Sequence, residues 1–164
     1  MIRDPYYLNF EQNWSQVMWH TEHTEETTAS PNAVWVVVAN VEGWGAWNPG
    51  YREAHLDGPI EPGTQGRVVL ANGMGRPFTL LEARPEASFV IGASGPGIKQ
   101  RFVHSIESLP NGGSRVSMAA TMEGPLTAVF SRMFGRIMAG YYPTAVRQLV
   151  ATAEGRAFRP ATHS

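Results

Sequence analysis

The feature that most constrains this chain is a change of rhythm near residue 124. Between Tyr51 and Glu123 short β-type runs are cut by turn signals. These are Asp57-Gly58-Pro59, Glu61-Pro62-Gly63, Asn72-Gly73-Met74-Gly75, Arg84-Pro85-Glu86, Ser94-Gly95-Pro96-Gly97 and Pro110-Asn111-Gly112-Gly113. Gly, Pro, Asn and Asp at such density mark tight turns, and runs between them at this spacing form hairpins. After Gly124-Pro125 the apolar residues Leu126, Phe130, Met133, Ile137, Tyr141, Ala145, Leu149 and Ala153 recur every third or fourth position. That is a helical stripe. It runs to Ala153 or Glu154, roughly 30 residues or about 45 Å at 1.5 Å per residue. Gly135, Gly140 and Pro143 lie inside it, and Pro143 is expected to kink it near Ala139. Consecutive hairpins make an antiparallel sheet rather than βαβ units. One helix is then the only element long enough to cover that sheet. A curved sheet covered by one helix leaves a hollow, and hollows of this kind hold ligands.

The strands expected after Tyr51 are 51–56, 66–71, 77–83, 88–93, 101–109 and 114–123, with one more upstream at 16–28. In that first strand Val17, Trp19, Thr21, His23 and Glu25 share one face, and Met18, His20, Glu22 and Thr24 the other. Which face is inward is open, because a one-residue slip exchanges them all. Ser30-Pro31 starts a short helix, with a hydroxyl cap and proline at the first helical position. It ends at Asn40 or Gly43. The segment Glu42-Gly43-Trp44-Gly45-Ala46-Trp47-Asn48-Pro49-Gly50 adds a single turn. The 164 residues suffice for one domain at 16–155. Residues 1–15 are an arm and 156–164 a loose tail. Tyr6, Tyr7, Phe10 and Trp14 make the arm too aromatic for a free tail, so it is expected to pack on the body as a lid or on a second subunit as a homodimer contact.

Several classes are excluded. There is no cysteine, so disulfides, thiolate metal sites and cysteine nucleophiles do not arise. Thirteen Lys and Arg against fourteen Asp and Glu give a net charge of -1, without the basic field that nucleic acid or anionic lipid requires. The longest strongly apolar run, 34–39, is far short of a membrane span. The start carries Arg3, Asp4 and Glu11 and no apolar signal core, so a cytoplasmic protein is expected. His20 and His23 point to opposite faces, His55 lies beside a turn and His163 in the tail, so no metal is expected. The glycine segments match no nucleotide loop, and no cofactor is expected. Ser94, Ser105 and Ser117 belong to no His–Asp constellation.

The candidate chemistry centres on His104, between Phe102 and Ile106 on the inward face of a strand, where an imidazole can exchange a proton with a carbonyl or phenol. The bland alternative is a core histidine bonded to a neighbour. His23, Glu25, Trp19 and Thr21 reach the hollow if their face is inward. Tyr141, beside Tyr142 on the long helix, would need a partner for its hydroxyl, and a ligand can supply one. Trp44 and Trp47 are candidates for a cavity mouth that stacks on a planar ligand; Trp35 reads as core. Tyr51, Phe102, Met118, Met122, Met133, Met138 and Ile137 are further candidate wall residues, the methionines as a soft, adaptable surface. For the methionines, ordinary core packing is the competing reading.

Ala29-Ser30-Pro31 followed by Val34-Trp35 resembles the A-x-P-x-x-V-W start of the SRPBCC superfamily, the START-like polyketide cyclase and lipid-transport group. Val41 to Pro49 resembles its D-x-x-x-W-x-x-W-N-P segment, with Val41 or Asn40 where an acidic residue is usual. Leu56-Asp57-Gly58-Pro59 with Pro62-Gly63-Thr64, Gly112-Gly113-Ser114-Arg115-Val116 and Gly124-Pro125-Leu126 resemble further turns of that family, in order. The resemblance spans about residues 17–155. It implies an α+β helix-grip fold: a seven-stranded antiparallel sheet wrapped around a long C-terminal helix, with two short helices after strand 1. It also implies a cavity that binds a small hydrophobic or aromatic molecule. An alternative it carries is a polyketide cyclase or aromatase, with His104, His23 and Tyr141 exchanging protons in an aldol-type closure and dehydration. A protein acting only through protein contacts is a third option, since fold does not fix function.

Overall fold

In the computed structural model, residues 18–155 are described. The arm at 1–15 and the tail at 156–164 lie outside the described residues. The elements are β1 (Met18–Thr27), α1 (Pro31–Ala39), a 3-10 turn (Val41–Gly43), α2 (Trp44–Trp47), β2 (Tyr51–Leu56), β3 (Gln65–Leu70), β4 (Gly75–Arg84), β5 (Ser88–Gly95), β6 (Ile98–Ser108), β7 (Ser114–Glu123), α3 (Thr127–Phe130), a π-helical stretch (Ser131–Gly135) and α4 (Arg136–Ala153). The seven strands form one antiparallel sheet in the order β1-β7-β6-β5-β4-β3-β2. The segment from α3 to α4 is the long helix, and it lies across the sheet. The helix-grip architecture expected from the sequence is the one observed.

Local chemistry explains the boundaries. The Ser30 hydroxyl accepts the Ala33 N–H at 3.2 Å, and Pro31 opens α1. Asn40 ends it. Strands β5 and β6 reach further into their turn than the expected loop at 94–97. Gly95 pairs with Ile98, and Pro96-Gly97 alone closes the hairpin. Gly97 supplies the positive φ of +71° that a proline-led tight turn needs at its second position. Helix α4 continues through Pro143 to Ala153. The interruption falls earlier, at the π-helical stretch, which the apolar periodicity did not announce.

Register aligns inward side chains in rows across the sheet. His23, Met118, His104 and Phe89 occupy one row. One step along, Thr21, Ala120, Phe102 and Ile91 form the next, and Trp19, Met122, Gln100 and Ala93 the one after. On β1 the half-buried face is Trp19, Thr21, His23 and Glu25, and Thr27 is buried. This face meets the long helix: the Trp19 ring lies against Gly135, and Glu25 pairs with Arg147.

The core has its centre at Trp44, which is fully buried. Its indole N–H donates to the Val38 carbonyl at 2.8 Å. Its ring stacks on Tyr51 and Phe78 and meets Phe89 edge-on. Leu80, Ile91, Val116, Met122, Ala145, Val146 and Leu149 complete the packing.

Candidate functional site

A cavity of about 310 Å³ opens between the sheet and the first half of the long helix. Its floor comes from β3 to β6 through Val68, Leu70, Phe78, Ile91, Ala93 and Phe102. Its roof comes from Phe130, Phe134, Ile137, Met138 and Tyr141, and its rim from Pro49, Gly50, Asn72 and Met74. The wall is therefore mostly aliphatic and aromatic, which excludes water and favours a nonpolar guest. The roof is helical, so its side chains recur at 130, 134, 137, 138 and 141. The floor is strand, so 91 and 93, and 100 and 102, alternate with outward neighbours.

Few polar groups interrupt this surface. Arg76 on β4 and Gln100 on β6 both line the cavity, with an Arg76 Nη2 donor 3.5 Å from Gln100 Oε1. Tyr51 and Tyr141 contribute phenols. Burial pushes the Tyr141 hydroxyl up to about 12. Burial, and then the nearby Tyr141, push Tyr51 upward as well. Both are protonated at neutral pH and act as hydrogen-bond donors, not bases. Tyr141 is held against Gly50, where even one added carbon would come within 2.6 Å of its ring. Only a glycine permits that approach.

Of the residues singled out in the sequence, the structure brings Tyr51, Phe102, Ile137, Met138 and Tyr141 to the cavity wall. Trp44 and Trp47 do not stand at a cavity mouth. Both are buried, with Trp44 capped by Tyr51 and Phe78, because α2 folds inward under the sheet's edge rather than outward. Met118 and Met122 are buried in the sheet-to-helix core, outside the wall, and Met133 is exposed on the helix's outer side. Trp19, Thr21 and Glu25 face the long helix on the β1 side, away from the cavity.

His104 lies one row beyond Phe102 and is walled off from the cavity by aromatic rings. Trp44, Trp47 and Phe89 surround it at centroid distances of 5.5, 6.2 and 6.3 Å. Nδ1 is 3.2 Å from the Phe89 carbonyl, which can only accept, so Nδ1 carries the proton. Nε2 is buried with no partner. Burial pulls the ring's pKa down to about 4, against the smaller upward effect of the Phe89 bond, so the imidazole is neutral at physiological pH. His23 occupies the same row two strands away, with Met118 between them. Its Nε2 is 2.7 Å from Glu25 Oε1, and Arg147 Nε donates to the same oxygen at 3.2 Å. The His23 bond, and next Arg147, hold the Glu25 carboxyl below its usual range. This is a half-exposed polar network outside the hollow.

Sequence reasoning missed Arg76 and Gln100. Gln100 is legible in principle: it precedes Phe102 by two on the same strand face, but the expected strand begins at 101, three residues after the observed start at Ile98. Arg76 precedes Phe78 by two in the same way and falls between the expected turn at 72–75 and the expected strand at 77–83, whereas the observed strand already begins at Gly75. Among the described residues no three histidines or carboxylates converge as a metal site. No described helix is long and apolar enough to cross a membrane.

A curved antiparallel sheet gripping one long helix around an apolar hollow defines the START-like helix-grip class. Within it, residues 18–154 match the family described as "Polyketide cyclase / dehydrase and lipid transport", and the chain belongs to that family. Among solved structures it is similar to the Zhui aromatase/cyclase from Streptomyces sp. R1128, with a TM-score of 0.69 and 15% identity over 90% of this chain and 100% of that one. It is also similar to norcoclaurine synthase from Thalictrum flavum, with a TM-score of 0.67 and 12% identity over 87% of this chain and 98% of that one. A third is the di-domain aromatase/cyclase StfQ of the steffimycin pathway, with a TM-score of 0.67 and 9% identity, covering 85% of this chain and 51% of that one. At such identities the likeness is one of fold. No curated protein matches by sequence.

Proposed function

We propose that this protein binds a small hydrophobic or aromatic molecule in the cavity between β3–β6 and the long helix. The observation that carries this is the cavity itself: about 310 Å³ of mostly apolar space beside a few convergent polar groups. A flat ring fits among Phe78, Phe102 and Phe134. Its oxygen accepts from the Tyr141 hydroxyl, and a partial or full negative charge on it is favoured by Arg76. Native mass spectrometry of freshly purified protein, followed by titration of any guest it reveals, tests the reading. Ala93→Trp fills the floor and is expected to abolish binding while leaving the fold intact. Undiminished binding by that variant sinks the proposal.

A cyclase reading is favoured by one feature, the protonated Tyr141 phenol set in a water-poor wall. It would donate its proton to a carbonyl oxygen as an enol carbon of the same folded chain attacks; the enol O–H, becoming a ketone, returns a proton to the Tyr141 oxygen, and the new hydroxyl later leaves as water together with the hydrogen on the adjacent carbon. The cavity would contribute chiefly by holding the chain in a reactive conformer. His104 and His23 lie off the wall, so this reading rests on Tyr141. Tyr141→Phe should stop turnover of a polycarbonyl surrogate while weakening its binding by no more than about tenfold, the worth of one hydrogen bond. Turnover that survives in Tyr141→Phe and fails in His104→Ala would transfer the role to the buried histidine.

A further inference from the structure

The first half of the long helix carries an apolar stripe that nothing in the described chain covers. Leu126, Val129, Met133 and Ile137 are exposed by 42, 56, 59 and 61%. Their spacing of three or four residues puts them on one side of the helix, about 17 Å from end to end at 1.5 Å per residue. Single exposed apolar residues are ordinary, but a contiguous row of four large ones marks a contact surface. Arg132 and Arg136 flank the row, without an ion-pair partner among the described residues.

We propose that the occupant is the chain's own N-terminal segment, residues 1–17. The first argument is where the described chain starts. Met18 pairs with Glu123, only three residues before Leu126, so the segment leaves the sheet beside the stripe's first residue. Trp19, next along, already lies against Gly135 in the middle of the striped region. The second argument is reach. Seventeen residues extend to about 56 Å at about 3.3 Å each, several times the stripe's length. The third is chemistry. The segment holds Tyr6, Tyr7, Phe10 and Trp14, rings suited to an aliphatic row, with Asp4 and Glu11 available to Arg132 and Arg136. Tethering makes the association intramolecular, so weak individual contacts suffice. Ile137 belongs to both the stripe and the cavity roof, so the seated segment would lie against the outside of that roof.

The test is the rate of Met133 sulfoxidation by hydrogen peroxide, read by peptide mass spectrometry in the full chain and in a chain lacking residues 1–15. Oxidation follows exposure, so Met133 should react about fivefold faster or more in the shortened chain. Met122, fully buried, serves as the standard and stays protected while the fold is intact. Should the shortened chain fail to fold, the full-length double variant Phe10→Ser/Trp14→Ser replaces it, with the same acceleration expected. Equal Met133 rates with and without the aromatic segment overturn the proposal. So does protection that vanishes on dilution, which would assign the stripe to a second copy. Protection arising only on adding vesicles of anionic phospholipid would assign it to a lipid surface and overturn it too.

Discussion

The two halves of the long helix meet the same sheet in different ways. In the second half Tyr142, Ala145, Val146, Leu149 and Val150 are all buried against α1 and the β1 side of the sheet. In the first half Phe130, Phe134 and Tyr141 are half-buried over the cavity, while Met133 and Ile137 point largely to solvent. Small side chains such as Ala145 let the helix settle on its neighbours, and the space closes to core density. Upstream, phenyl and phenol rings hold the helix off the floor, and the π-helical stretch interrupts its regular turn. The hollow is thus bounded by bulk, not created by a shortage of it. One half is built for stability and the other for a guest.

The sharpest way to break this contrast is truncation in each half. Leu149→Ala removes a fully buried side chain and should cost about 2–5 kcal/mol in a urea melt. Ile137→Ala, at 61% exposure, should stay within about 0.5 kcal/mol. Equal costs would erase the distinction.

A second effect belongs to the packed zone alone. His104 sits near 4 in the fold and at 6.5 in an unfolded chain. Below pH 6.5 the unfolded chain therefore binds a proton that the fold refuses. Stability should fall as pH drops from about 6.5 to about 4, by about 3 kcal/mol in total, and level off below. In His104→Leu that part of the slope should be missing from denaturation curves taken at each pH. An unchanged slope would mean the ring is not desolvated.

The third probe perturbs only the cavity. Gly50→Ala places a methyl within 2.6 Å of the Tyr141 ring, which must swing away. Ligand affinity measured by calorimetry should fall about threefold to tenfold, the worth of one hydrogen bond. A change in melting without a change in affinity would show Gly50 to be structural only. The smallest effect is expected at the polar margin. Arg147→Ala breaks a pair with Glu25 that is largely solvated, and should move stability by under about 0.5 kcal/mol.

Much of the architecture was legible from local signals. Turn residues placed the hairpins, alternation placed β7, and the three-to-four spacing placed the long helix. The first strand shows the limit: its two faces were separable, but Trp19 or His20 as the inward residue was not. A polar strand gives no hydrophobic vote on direction, and contact with Gly135 and Arg147, more than a hundred residues away, decided it. Met118 and Met122 read equally well as cavity or core because an inward apolar side chain has the same pattern whether it faces space or packing.

The sequence by itself determined the set of elements, their antiparallel succession and the single helix that covers them, because periodicity and turn chemistry act over a few residues. Only the tertiary structure decided which inward residues face space and which face packing. Phe102 and His104 are two apart on one strand and point the same way, yet one lines the cavity and the other is enclosed by Trp44, Trp47 and Phe89. What separates them is the cover each receives, aromatic roof or folded-in α2, and that cover comes from parts of the chain no local pattern can see.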